Sequence, residues 1–299
     1  MSTPPIQSIR RLRGGRRLVD PLTVAADARR QDLLARSLRA TRLFGSRPLP
    51  AFWSTGRPNF GDALSPAVLA YVSGLTPVLV SKRCRGKVLA AGSVLHRLEA
   101  HDTVWGTGSM YDSPIEPPPG VRFLAVRGPL TRSLIKDNVP EVYGDPALLL
   151  PRLIQPSIGD SRHPVGIVPH YLDYDVVSAT DHGALLIDVR APWQTVVDQI
   201  NSCDVILSSS LHGIIVAEAY GIPAVWIKIT DKIVGGSFKY RDYYLSTGRE
   251  PPNAVHWMQG LLAMTSRAEP PPEIRTDPLV EAWRAHFPQI GNAFQPNRR

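Results

Sequence analysis

The densest run of groups able to handle charge or protons lies at residues 204–223. There an apolar stretch ends in Ser208, Ser209 and Ser210, and Leu211, His212 and Gly213 open a helical pattern that stops at Gly221. A strand, a polar turn and a helix start make an anion site, because free N–H groups and the positive end of the helix dipole point at the ligand. The serine hydroxyls add donors. His212 stands where a neutral imidazole is favoured until an anion arrives, and a histidine there can move a proton near neutral pH. A helix cap needs one such polar side chain, and this turn carries four.

Other strand ends carry weaker signals. Val126-Arg127-Gly128-Pro129 sets a guanidinium beside a helix start, a fork suited to carboxylate or phosphate. The loop from Gly56 to Asp62 contains Asn59 and Gly61, which would let the backbone approach a sugar or phosphate, and Asp62, which suits a helix N-terminus or a proton-accepting role. Trp105-Gly106-Thr107-Gly108 is a flexible strand-end loop that lacks the third glycine and downstream acid of a dinucleotide site. His170, after Val168-Pro169, reads equally as a core histidine or a catalytic one. The chain has no GxxxxGK[ST] loop, HExxH or GxSxG, and its eight histidines lack metal-ligand spacing, so ATPase, zinc-hydrolase and serine-hydrolase chemistry are excluded and no metal is expected.

Such loops need a scaffold that gathers strand ends. Apolar runs at 51–54, 78–80, 87–91, 103–106 and 122–126 read as buried strands, with helical patterns at 63–72 and 129–136. After a linker rich in Pro, Gly and Ser at 151–164, strands are expected at 165–169, 185–189, 204–207 and 224–229, with helices at 195–201 and 214–220. Two closing helices are expected at 238–246 and 277–287. Strands apolar on both faces and alternating with helices predict parallel sheets covered on both sides. The fold class is α/β, with two Rossmann-like halves facing across a cleft and ligands at the carboxyl ends of the strands. The expected division is a basic arm over 1–48, a first half over 49–155, a second half with the donor site over 156–260, and a tail with a closing helix over 261–299.

The formal charge of +8 belongs to the arm alone: residues 1–50 hold eleven arginines against three acids, and the remainder is neutral. A neutral body argues against nucleic acid as a partner and leaves the arm as a solvated tail or a contact for an anionic membrane surface. Two cysteines far apart give no disulfide framework and point to a reducing compartment.

The motifs in order resemble the polysaccharide pyruvyltransferase family, especially its bacterial exopolysaccharide members. The matching pieces are Asn59-Phe60-Gly61-Asp62, Gly92-Ser93-Val94-Leu95, Val104-Trp105-Gly106-Thr107-Gly108, Val126-Arg127-Gly128-Pro129, Tyr143-Gly144-Asp145-Pro146, Val168-Pro169-His170, Ser208 to Gly213, and the run from Phe238 to Tyr244. The resemblance implies a fold similar to GT-B glycosyltransferases. It also implies transfer of a pyruvyl group from phosphoenolpyruvate, as donor substrate and without a cofactor, to two hydroxyls of a sugar in a lipid-linked or polymer-bound repeat unit. In the family an arginine of the first half and an Arg-Leu-His triplet of the second hold and activate the donor. Arg127 matches the first and His212 the histidine, while Ser210 stands where the triplet has arginine. The resemblance assigns Arg127 and His212 to catalysis; the chemistry of the residues adds His170 or Asp62 as base and puts Ser208, Ser209, Ser210, Leu211 and Gly213 at the donor, with Lys239 or Arg241 as a further cation. Asn59, Gly61, Asp62, Trp105 and Gly106 fall to the acceptor or to structure. A cytoplasmic enzyme is expected, and the basic arm, which lies outside the resemblance, suits work at the inner face of a membrane. Two rivals follow from the same architecture: a nucleotide-sugar glycosyltransferase with Glu218 as the ribose-holding acid, and a non-catalytic sugar-binding assembly subunit.

Overall fold

In a computed structural model, residues 48–287 are described except for 158, 160 and 161, so the expectations placed on the basic arm lie outside the described residues. The first half runs β1 (Pro48–Phe52), α1 (Phe60–Ser73), β2 (Thr76–Leu79), β3 (Val88–Leu89), β4 (Thr103–Trp105), β5 (Arg122–Ala125) and α2 (Pro129–Leu134). A 3-10 turn, Pro146–Leu149, then leads into α3 (Leu150–Leu153). The second half runs β6 (His163–Val168), α4 (Tyr174–Ser178), β7 (Leu185–Leu186), α5 (Trp193–Asn201), β8 (Cys203–Ser208), α6 (Leu211–Ala219), β9 (Ala224–Lys228), α7 (Phe238–Ser246) and β10 (Val255–His256). The helices α8 (Leu261–Thr265) and α9 (Asp277–His286) close the described chain.

Each half contains one five-stranded sheet, ordered β2-β1-β3-β4-β5 and β10-β9-β8-β6-β7, and all of their pairings are parallel. Numbered within its own half, each sheet has the order 2-1-3-4-5. The connections therefore change direction between β1 and β3 and again between β6 and β8. Loops diverge at such a point and leave a crevice at the carboxyl ends of the strands. The expected linker is shorter than its composition suggests: its first residues form α3, and Pro164 is the second residue of β6, where a missing N–H is tolerated near a strand start.

Local chemistry sets the helix that faces the crevice from the first half. Asn59 caps α1 by accepting from the Gly61 N–H at 3.3 Å, and Gly74 ends it in the left-handed region at φ 63°. The halves share a core in which Phe60 and Leu64 of α1 pack with Val168, Leu211 and Ile214 of the second half. The Phe60 N–H also donates to the Val189 carbonyl across the boundary at 2.8 Å.

Two long-range contacts complete the join. Asp242 of α7 accepts from Arg127 Nε at 3.0 Å, from the Thr131 N–H at 2.8 Å and from the Thr131 hydroxyl at 2.6 Å. Gly128 is required there, because a Cβ would collide with the Asp242 carbonyl oxygen. The expected closing helix α9 returns to the first half, where Trp283 meets Trp105 edge-on and Trp105 Nε1 donates to the Leu279 carbonyl at 2.8 Å. Helix α9 thus packs on the first half.

Arg127 and Asp242 are both fully buried. Removing one member of such a pair leaves an uncompensated charge in the core, at a cost of about 3–5 kcal/mol. Asp242→Ala is expected to lower unfolding free energy by that order in urea titration, and a loss below about 1 kcal/mol would contradict the role given to the pair.

Candidate active site

The two direction changes face one another across a cleft of about 490 Å³. The loops after β1 and β3 contribute Thr55, Asn59, Asp62 and Ser93 to its lining. Those after β6 and β8 contribute His170, Ser210, Leu211 and His212, and Lys239 enters from α7.

His212 sits in the first turn of α6, 8% exposed. Its ring lies against Gly61, where any Cβ would overlap the imidazole, and its edge meets Phe60 at 6.2 Å. Nε2 faces Asp145 Oδ2 at 3.6 Å, a charge contact slightly longer than a hydrogen bond, and has no hydrogen-bond partner. Asp145 is fully buried and accepts from the Gly92 N–H at 3.1 Å and the Ala147 N–H at 3.0 Å. Burial opposes its charge, but His212 and these two amides outweigh it and hold the carboxyl below the usual carboxylate range. A carboxylate only accepts, so it favours the ring proton on Nε2 and leaves Nδ1 as the basic nitrogen.

Asp62, Lys239 and His170 share the cleft with His212. Burial raises the pKa of Asp62 despite His212 and despite the Asn59 Nδ2 donor at 3.2 Å, giving a carboxylate more basic than usual. Burial and then the Arg127 charge bring Lys239 down to about 8. Burial and then Lys239 lower His170 to about 3, so it is neutral at working pH. His170 Nδ1 accepts from the Leu172 N–H at 3.3 Å, which puts its proton on Nε2 and makes it a hydrogen-bond donor to the cleft.

Several residues assigned to the cleft from sequence lie elsewhere. Arg127 is 0% exposed. It donates to Asp242, to the Ser93 hydroxyl at 2.7 Å and to the Ser109 carbonyl at 2.7 Å, with Gly108 leaving it room. It reaches the cleft only through Ser93. Ser208 donates to the Val168 and Ser210 carbonyls, and Ser209 donates to Asp173 and accepts from the His170 N–H, so both hydroxyls shape the turn. Of the three serines only Ser210 lines the cleft, as the N-cap residue with no capping side-chain bond. Trp105 is buried against α9, Gly106 packs on Pro146, and Gly213 packs on Ser208. Arg241 is exposed and does not line the cleft. Glu218 accepts two bonds from Arg249, at 2.9 and 2.6 Å, and one from the Tyr243 hydroxyl at 2.6 Å. The acid required by the glycosyltransferase reading is therefore occupied.

Sequence reasoning passed over Lys82 and Arg97, which line the lip of the cleft. Their effect shows at His96, whose pKa is lowered by burial and then by Arg97 and Lys82. With Lys239 they give the cleft three cations against the one carboxylate of Asp62. Neither sits in a motif, so the sequence offered no signal for them.

The family model described as polysaccharide pyruvyl transferase matches residues 121–231, which hold Asp145, His170 and the turn from Ser208 to Gly213. A protein named for succinoglycan biosynthesis, ExoV of Rhizobium meliloti (strain 1021), is 27% identical over 213 residues, covering 67% of this chain and 65% of that protein. The chain is similar to the polysaccharide pyruvyl transferase family over residues 121–231. An uncharacterized protein, L143 of Acanthamoeba polyphaga mimivirus, is 33% identical over 137 residues, covering 42% of this chain and 48% of that protein. The chain thus spans about half to two thirds of the length of these two relatives. No solved structure matches it. Lys239, Asp62, Lys82 and Arg97 fall outside the segment that the family model covers, so their place in the cleft rests on geometry.

Lys239 gives up its charge as pH rises through about 8, and anion binding that depends on it weakens with the same midpoint. Calorimetric titration with sulfate, whose charge is constant over the range, should show this loss, and Lys239→Met should remove it. A flat wild-type profile from about pH 7 to 9 would contradict the assignment.

Proposed function

We propose that the chain transfers a pyruvyl group from phosphoenolpyruvate to two hydroxyls of one sugar in a polysaccharide repeat unit, leaving a cyclic ketal and inorganic phosphate. The observation that carries this reading is His212, backed by the Asp145 carboxylate at 3.6 Å, in a cleft whose other charges are mainly cationic. The two facing sheets support a GT-B-like arrangement of the halves.

The donor carries a carboxylate and a phosphate. Lys239, Lys82, Arg97 and the free amides at the start of α6 supply positive potential for both, in place of an arginine at position 210. His212, protonated on Nδ1, gives that proton to the methylene carbon of the donor while a sugar hydroxyl attacks the central carbon. Asp62 accepts the hydroxyl proton, which suits a carboxylate made more basic by burial. The carbon–oxygen bond to phosphate then breaks, the second hydroxyl closes the ketal, and its proton returns to His212. The proton held by Asp62 leaves with phosphate. His170 donates from Nε2 to hold the bound oxygen atoms, a positioning role rather than that of a base.

Among the described residues no helix is long and apolar enough to cross a membrane. On this reading the arginine-rich arm holds the enzyme on an anionic inner leaflet where lipid-linked repeat units are assembled. Deleting residues 1–45 should weaken binding to anionic vesicles and spare turnover of a soluble acceptor. Unchanged vesicle binding would remove that role.

The enzymatic test is phosphate release from phosphoenolpyruvate across a panel of lipid-linked and soluble galactosides, glucosides and mannosides. Release should depend on the acceptor and fall by about 10²–10⁴-fold in His212→Ala. Gly61→Ala, which displaces the ring without removing it, should cost about 10²-fold. Turnover of a nucleotide sugar, with none of phosphoenolpyruvate, would overturn the reading.

A further inference from the structure

A second hollow, of about 680 Å³, opens at the first residues of β9 and β10, the end of the sheet away from the cleft. We propose that it binds an uncharged, hydroxyl-rich ligand: a neutral saccharide segment. The inference goes beyond pyruvyl transfer and does not depend on it.

One wall is built and rigid. Trp226 stacks on Tyr240 with ring centroids 4.4 Å apart and planes within 12°. Tyr244 is 3% exposed and lines the hollow. Burial and then Glu218 push the pKa of Tyr244 upward, so the group stays a neutral donor and acceptor. Arg249 lies over the Tyr244 ring at 4.7 Å and is held there by its two bonds to Glu218.

The opposite rim is unlike the wall. Asn253, Gln259, Arg267, Glu250 and Glu269 all line the hollow, and none has a side-chain hydrogen bond or ion pair within the described residues. Together they offer both donors and acceptors with no partner of their own. The charge balance selects among ligands. Glu218 neutralises Arg249, so Arg267 alone faces Glu250 and Glu269, and the hollow does not attract phosphate or carboxylate. That is the reverse of the cationic cleft. An aromatic wall with a polar rim matches a pyranose, whose C–H faces meet the negative face of a ring and whose hydroxyls both give and accept bonds.

Isothermal calorimetry on the full chain tests this with neutral glucan, galactan and mannan oligosaccharides and a uronate-containing oligosaccharide as the charged control. At least one neutral series should bind, about tenfold more weakly in the Asn253→Ala/Gln259→Ala variant and unchanged in His212→Ala, as expected for lost hydrogen bonds at an exposed rim. No binding of any neutral series, binding unaltered by the rim variant, or stronger binding of the uronate would each overturn the proposal. Phosphate release is read separately, so the pyruvyl-transfer reading and this site fail independently.

Discussion

A single buried carboxylate, that of Asp145, is the constraint around which the cleft is built. A charge removed from water is costly unless every acceptor position finds a partner. Asp145 meets that demand with the Gly92 amide after β3, the Ala147 amide in the following 3-10 turn and the His212 ring of α6. Three segments far apart in sequence must therefore converge before the carboxylate is satisfied. Where they converge, the two strand-order reversals face each other and His212 is turned with Nδ1 available. Gly61 and Gly92 are the consequence: a side chain at 61 would overlap the imidazole, and Gly92 holds a φ of 93° beside Asp62.

The protein separates its cations by task. Arg127, the most conspicuous by sequence context, is spent on architecture: it ties α7 to α2 through Asp242 and positions Ser93. Its charge still acts at a distance by lowering the pKa of Lys239. The cations that line the cleft are Lys239, Lys82 and Arg97. On the proposed reading, the buried arginine fixes geometry and these three cations meet the donor, beside the helix start at Ser210.

What the sequence made legible was whatever depends on local pattern. Every strand of both sheets except β10 appears as a short apolar run, with ends displaced by a few residues. The strand–serine–histidine–helix segment was visible for the same reason. The elements missed, β10 with two residues, α3 with four and α4 and α8 with five each, are too short to show a period. The fate of Arg127 was illegible in principle, since its partner Asp242 is 115 residues away and only the folded chain brings α7 to α2. Asp145 was read as part of a motif without a role, because its role lies in the meeting of three separate loops. Likewise the tail read correctly as a closing helix, while its contact with Trp105 on the first half required the tertiary structure.

The most direct measurement is a crystal structure of the protein soaked with phosphoenolpyruvate. The account predicts the donor in the cleft, its anionic groups on Lys239, the lip cations and the start of α6, and its methylene carbon facing His212 Nδ1, with Arg127 still bound to Asp242. Donor density outside the cleft, or a guanidinium of Arg127 swung away from Asp242 to contact the donor, would contradict it.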